Sequence, residues 1–147
     1  MKEVRLNAFI PRQSADEVYA AISNFSAYPQ YCTSVRKIDV KNLSENVTLT
    51  DWEVNFHNGI LKWQERDTFD PSNRQISFRQ TAGDIDHFSG SWHVEADGND
   101  ATIAFDSCFD LGLPMLADML DPVAEQAISE NIRAIISGLF PASYIKD

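Results

Sequence analysis

Basic residues are scarce in this sequence: 12 lysines and arginines stand against 22 aspartates and glutamates, a formal net charge of -10. Such a surface repels phosphate backbones and anionic lipid heads, which disfavours nucleic acid and membrane-surface partners. Cysteine is rarer still. Cys32 and Cys108 lie far apart, match no metal or redox spacing, and are expected to be reduced and buried. The three histidines, His57, His87 and His93, share no metal-ligand spacing, so neither a metal nor any other cofactor is expected. No glycine-rich phosphate cradle, dinucleotide fingerprint or nucleophile-elbow serine is present, which disfavours a nucleotide enzyme. No apolar run approaches the roughly 18 residues of a spanning helix. Met1 to Asn7 carry charge with no apolar run behind them, so no signal peptide is expected and the compartment reading is cytoplasmic. The sequons at Asn24 and Asn46 then carry no weight. With no repeat, linker or low-complexity stretch, the 147 residues are expected to form a single domain over 1–147.

What is present is a regular sequence of periods. Glu3 to Ile10 alternates as a strand that Pro11 ends. Ser14 and Glu17 make a capping-box pair, and Val18, Ala21, Ile22 and Phe25 follow at helical spacing, predicting a helix to about Asn24. Pro29 interrupts the next stretch, so Phe25 to Cys32 reads as a short second helix or an aromatic-rich turn. From Ser34 to Leu111, turn signals at Ser44-Glu45-Asn46, Asn58-Gly59, Asp70-Pro71-Ser72-Asn73, Ala82-Gly83-Asp84 and Asp97-Gly98-Asn99 separate six alternating runs. Strands joined by such short turns are antiparallel neighbours. Asp121-Pro122 reads as the N-cap and first residue of a final helix, with Leu113 to Leu120 a candidate preceding turn and Pro141 the stop. The fold class is therefore α+β. Seven antiparallel strands at about 4.8 Å spacing make a sheet some 30 Å wide, whereas one helix covers about 10 Å. The sheet must curl around the long helix in a helix-grip arrangement, leaving space between them.

Alternation assigns the residues facing that space. Thr48, Thr50, Trp52, Val54 and Phe56 share a face, as do Leu61, Trp63, Glu65, Asp67 and Phe69 on the next strand. Phe78 and Gln80, then Phe88 and Trp92, then Phe105, Ser107 and Phe109 continue it, while His87 and His93 fall on the solvent side. Three tryptophans on one face suggest a lining for a hydrophobic small molecule, or alternatively the filling of a large concave sheet. Glu65 and Asp67 are the anomaly, because two buried carboxyls are expensive unless paired. Either they form an acid–base pair with raised pKa values, or a bulge turns them outward, or Arg36, placed on the face of Ile38 and Val40, neutralises them. Gln80, Ser107 and Asn131 are candidates for hydrogen bonds inside the pocket, or satisfied core groups.

The segment Val18 to Pro29, Gly59 to Trp63 with Glu65, Phe88 to Trp92 (F-S-G-S-W), Phe109-Asp110 and the final helix together resemble the polyketide cyclase/dehydrase branch of the Bet v 1-like, START-related superfamily. The resemblance covers nearly the whole chain and implies the helix-grip fold. It implies an aromatase/cyclase that binds a polyketide-like intermediate, free or carried on an acyl carrier protein, and promotes its cyclisation and dehydration. The alternative it implies is a carrier or sequestering protein for a quinone, lipid or aromatic molecule; the coenzyme-Q-binding branch has a similar helix-then-Tyr-Pro pattern at Asn24 to Pro29. Aromatase/cyclases carry an arginine where this chain has Asp67, and a tyrosine near the position of Val35. The usual proton-transfer pair is thus absent, and Glu65, Asp67 and Tyr31 become the catalytic candidates, with Tyr28, Arg36 and the aromatic lining as substrate-binding ones. Lys37, Lys41, Arg5 and Arg12 are too scattered to form a docking patch for an acidic carrier protein. Oligomeric state is not legible.

Overall fold

The computed structural model describes residues 1–57 and 59–146. Asn58, half of the predicted Asn-Gly turn, lies outside the described residues. One antiparallel sheet of eight strands among the described residues has the order β2-β3-β4-β5-β6-β7-β1-β8. β1 is Lys2–Ile10, β2 Val35–Ser44, β3 Val47–Phe56, β4 Gly59–Asp70, β5 Gln75–Gly83, β6 His87–Asp97, β7 Asp100–Asp110 and β8 Tyr144–Lys146. The alternation that predicted the strands is visible in their burial. Ala101, Ile103, Phe105, Ser107 and Phe109 are buried on β7, and Val4, Leu6, Ala8 and Ile10 on β1. Cross-strand pairs such as Leu6–Phe105 and Trp92–Phe105 join these rows into one apolar face.

Three helices lie against that face. α1, Ala15–Ser23, starts at Ser14 with the predicted capping box: the Ser14 hydroxyl accepts from the Glu17 N–H at 3.1 Å, and the Ser14 N–H donates back to Glu17 at 3.3 Å. A 3-10 turn at Phe25–Ala27 leads into α2, Tyr28–Tyr31. Together they carry the chain from β1, near one edge of the sheet, to β2 at the other, packing on β6, β7 and β2 as they go. α3, Ala117–Leu139, contacts β1 and α2. The helix-grip architecture is thus as expected from the sequence.

Three local expectations need correction. The sheet has an eighth strand, because Tyr144, Ile145 and Lys146 pair with Phe9, Ala8 and Asn7; three residues are too few for alternation to register. α3 begins at Ala117 and runs through Pro122, so Asp121 is an interior residue and not the N-cap. Proline so close to a helix start removes one hydrogen bond from an otherwise continuous ladder, and the helix tolerates that loss. Finally, β2 carries a bulge: Val35 pairs with Val54 and Lys37 with Glu53, so Arg36 is an extra residue. Val35 is buried and Arg36 is exposed, its guanidinium donating to Asn55 Oδ1 at 3.4 Å. Arg36 therefore does not share the inward face, and neither lines the pocket nor neutralises the carboxyls. Both cysteines are free, Cys32 buried as expected but Cys108 only half-buried.

Gly83, at the end of β5, has φ 144° and lies across from Trp63. A Cβ at this position would come within 2.5 Å of the Trp63 Cα. Only glycine permits both the backbone angle and the close approach. Gly83→Ala is expected to lower stability by about 2–3 kcal/mol. Denaturant unfolding reads the loss, and near-UV circular dichroism should show a weakened tryptophan signal as Trp63 is pushed from its place.

Candidate functional site

Between the concave face and α3 lies a cavity of about 80 Å³, and a second of about 60 Å³ adjoins it, sharing the walls Val54, Trp63, Phe88, Ile128 and Asn131. The first is about half the size of the apolar cavity of about 150 Å³ that holds one benzene molecule. Eight aromatic residues surround the first chamber: Phe25, Tyr28, Trp52, Trp63, Phe78, Phe88, Trp92 and Phe105. Trp52 and Trp63 are cross-strand partners whose rings stack at 5.6 Å and 7°. Phe88 meets Trp63 edge-on at 5.7 Å. α3 closes the chamber with Ile128, Asn131, Ile132 and Ile135, one stripe at helical spacing.

Glu65 is the one carboxyl in this wall. It is 3% exposed, and Asp67 beside it is 0% exposed. The indole N–H of Trp63 donates to Glu65 Oε1 at 2.8 Å. The indole N–H of Trp52 donates to the Thr50 hydroxyl at 2.8 Å, and that hydroxyl donates onward to Asp67 Oδ2 at 2.7 Å. Thr48 donates to the same oxygen at 3.0 Å. The cross-strand register produces this arrangement directly, since Trp52 faces Trp63, Thr50 faces Glu65 and Thr48 faces Asp67. Each tryptophan thus bonds to a residue two positions along its own strand.

The remaining oxygen of Asp67, Oδ1, is buried and meets no N–H or hydroxyl donor. Burial pushes the Glu65 carboxyl well above the usual carboxylate range, and the hydrogen bond and charge of Asp67 push it further, against the opposing Trp63 N–H. Burial also raises Asp67, but its bonds from Glu65, Thr50 and Thr48 pull it back. Both carboxyls are thus held above the ordinary carboxylate range, Glu65 the further, and two such neighbours oppose each other's ionisation. Tyr28 feels the same pair; burial first, then the charges of Glu65 and Asp67, hold its phenol well above the ordinary value.

The other candidates divide. Trp52, Trp63, Phe78, Phe88, Trp92, Phe105, Tyr28 and Asn131 all line the cavity. The Tyr28 hydroxyl, however, is committed to the Ile22 carbonyl at 2.5 Å, and the Asn131 amide oxygen accepts from Cys32 Sγ at 3.5 Å. Gln80 pairs with Glu65 across the strands but donates to the Ile85 carbonyl and stays behind the wall. Ser107 is buried facing the Val4 carbonyl at 3.5 Å, also away from the chamber. Tyr31 is half-buried with its ring against Gly138 of α3, and it does not line the pocket. Thr48 and Thr50 were legible as inward residues but not as the ones that hold Asp67. That role depends on the register between two strands, which alternation along one strand does not determine.

Residues 12–136 match the sequence model of the family described as polyketide cyclase/dehydrase and lipid transport. No curated protein matches the chain in sequence. Among solved structures, it is similar to TTHA0849 from Thermus thermophilus, at TM-score 0.86 and 21% identity over 95% of both chains. The ZhuI aromatase/cyclase from Streptomyces sp. R1128 superposes at TM-score 0.79 with 16% identity, over 95% of this chain and 92% of that one. A START superfamily protein from Mycobacterium smegmatis gives TM-score 0.79 and 16% identity over 95% and 97%. At these identities the likeness is one of fold.

The carboxyl pair makes stability depend on pH. Glu65 has a folded pKa raised above its unfolded value, so its contribution is fully present below the unfolded carboxylate range and is lost as pH rises through the folded value. Between those limits, stability is expected to fall by about 1.4 kcal/mol per pH unit. Glu65→Gln should remove that slope in urea unfolding measured across pH 5–9. An unchanged slope would mean that Glu65 is ionised in the folded protein.

Proposed function

The chain belongs to the polyketide cyclase/dehydrase and lipid-transport family, and from that premise we propose that it binds a compact hydrophobic molecule in the cavity and promotes its cyclisation or dehydration by acid–base chemistry. Hydrophobic-ligand binding is the coarser reading that the family supports, and the cavity walls are consistent with it. The observation that carries the finer reading is Glu65: a carboxyl in a largely apolar wall, lining the cavity and hydrogen-bonded to Trp63. A protein that only sheltered an apolar ligand would gain nothing from burying that group, which costs several kcal/mol unless its charge is suppressed.

In the proposed reaction Glu65 is the catalytic acid. Its proton passes to the hydroxyl leaving group of an aldol product, and the resulting carboxylate then accepts the acidic C–H proton between two carbonyls, which restores the acid. Asp67 lies behind the wall and acts as a positioning residue, holding the Glu65 proton in place. Tyr31, directed onto α3, has no part in the step, and the Tyr28 hydroxyl is occupied by Ile22. Two of the basic residues that a carrier-protein docking would use are already engaged, Arg5 with Asp106 at 3.1 Å and Lys37 with Asp39 at 3.3 Å. A free ligand therefore fits this surface better than one delivered on an acyl carrier protein.

The test is cyclisation of a short poly-β-ketoacyl thioester, a 3,5,7-trioxo chain whose C2 can close on C7, followed by mass spectrometry of the products. Wild-type protein is expected to accelerate ring closure and water loss. Glu65→Gln should lower the rate about 10²–10⁴-fold while leaving affinity nearly intact. Equal turnover by the variant would overturn the acid role. Native mass spectrometry of protein purified from its own host distinguishes the alternative, because an unaltered quinone or lipid in the cavity would favour carriage.

A further inference from the structure

The cavity combines two features that a neutral polyketide skeleton does not require. Eight aromatic residues line the chamber, and two buried carboxyls stand together at one side of it, Glu65 in the wall and Asp67 beside it. No lysine or arginine lines either chamber among the described residues. A buried carboxylate without a cation nearby is unusual, since buried charges are ordinarily paired. The acceptors also outnumber the donors. Asp67 Oδ1 and the Gln80 amide oxygen are both buried without a donor, and Gln80 is the cross-strand partner of Glu65.

We infer that the ligand is a compact ring bearing a protonated amine, with its ammonium seated against Glu65 and its ring held among the tryptophans and phenylalanines. The ammonium brings a positive charge and up to three N–H donors to Glu65, the carboxyl in the chamber's lining, and aromatic rings attract cations through their quadrupoles. Binding then exchanges one cation for another. The ammonium takes the place of the proton on Glu65, the proton leaves to solvent, and the net charge in the site is conserved. This assignment rests on the cavity being the binding site of the proposed function, but not on the cyclisation step.

The groups around the pair leave the titration to Glu65 and Asp67. β3 contributes Thr48, Thr50 and Trp52, β5 contributes Phe78 and Gln80, and α3 contributes Asn131, none of which titrates. α2 contributes Tyr28, and Cys32 follows it, donating to Asn131. The Tyr28 phenol is held protonated above its ordinary range. The proton released on binding is therefore assigned to Glu65.

The experiment compares benzylammonium with ethylbenzene, which has nearly the same shape and no charge, by isothermal titration calorimetry and tryptophan fluorescence. Benzylammonium is expected to bind at least about tenfold more tightly. Titrations in phosphate and Tris, whose ionisation enthalpies differ, should report close to one proton released for benzylammonium and none for ethylbenzene. On the wild-type protein, affinity for benzylammonium should rise about tenfold per pH unit while Glu65 holds its proton. Ethylbenzene affinity should stay level. Glu65→Gln should abolish the preference, and the wild-type pH series stands as evidence should that variant fail to fold. Equal or tighter binding of ethylbenzene would overturn the amine assignment and leave the hydrophobic pocket standing. Failure of both probes to bind would overturn the pocket and, with it, this inference.

Discussion

The hydrogen-bonded row formed by Trp63, Glu65, Asp67, Thr48, Thr50 and Trp52 is the constraint to which the rest of the interior is fitted. Two carboxyls on one face of β4 oppose each other's ionisation in an aromatic core unless a cation stands beside them, and leaving either without partners is costly. The sheet resolves this by placing two threonine hydroxyls opposite them on β3 and an indole N–H at each end of the row. Each donor comes from a residue whose remaining atoms are apolar or small, so the core stays closed, and of the two Asp67 oxygens the threonines reach Oδ2 while Oδ1 is left without a partner. The stacked indoles then serve two purposes at once. Their edges hold the polar row, and their faces form the cavity wall.

That arrangement explains why the cavity is where it is. A smooth sheet packed on α3 with aliphatic side chains would close completely, because interiors approach crystal packing density. Large planar rings held at fixed angles by hydrogen bonds cannot interdigitate as freely. The space beneath Trp52, Trp63 and Phe88 remains because these rings are tied to the sheet and not free to fold inward. α3 supplies the opposite wall with branched aliphatic side chains, whose shapes fill from below without displacing the rings.

The same reasoning separates the catalytic reading from simple carriage. Members of the family include cyclases and transporters, as its description states, and the fold serves both. The difference must lie in polar groups within the wall. Glu65 is such a group: it lines the cavity, and Asp67 beside it does not. The cation reading and the acid reading draw on one property, a carboxyl pair whose proton can be given to a substrate or exchanged for a charged one.

Much of this was present in the sequence, for a local reason. Side chains on a strand alternate with period two, so the shared face of Trp52, Trp63, Glu65, Asp67, Phe88, Trp92 and Phe105 followed from spacing alone. The capping box at Ser14 and Glu17 placed α1 for the same reason, as its atoms are three residues apart. What only the tertiary structure decided was set by contacts between distant segments. A bulge against β3 turned Arg36 to solvent, and packing on Gly138 drew Tyr31 away from the pocket. β8 exists because β1 offers it an edge, and Thr50 meets Asp67 only through the register of two strands. Period is a property of a single segment, whereas register, bulges and docking are chosen by the neighbours that bury it.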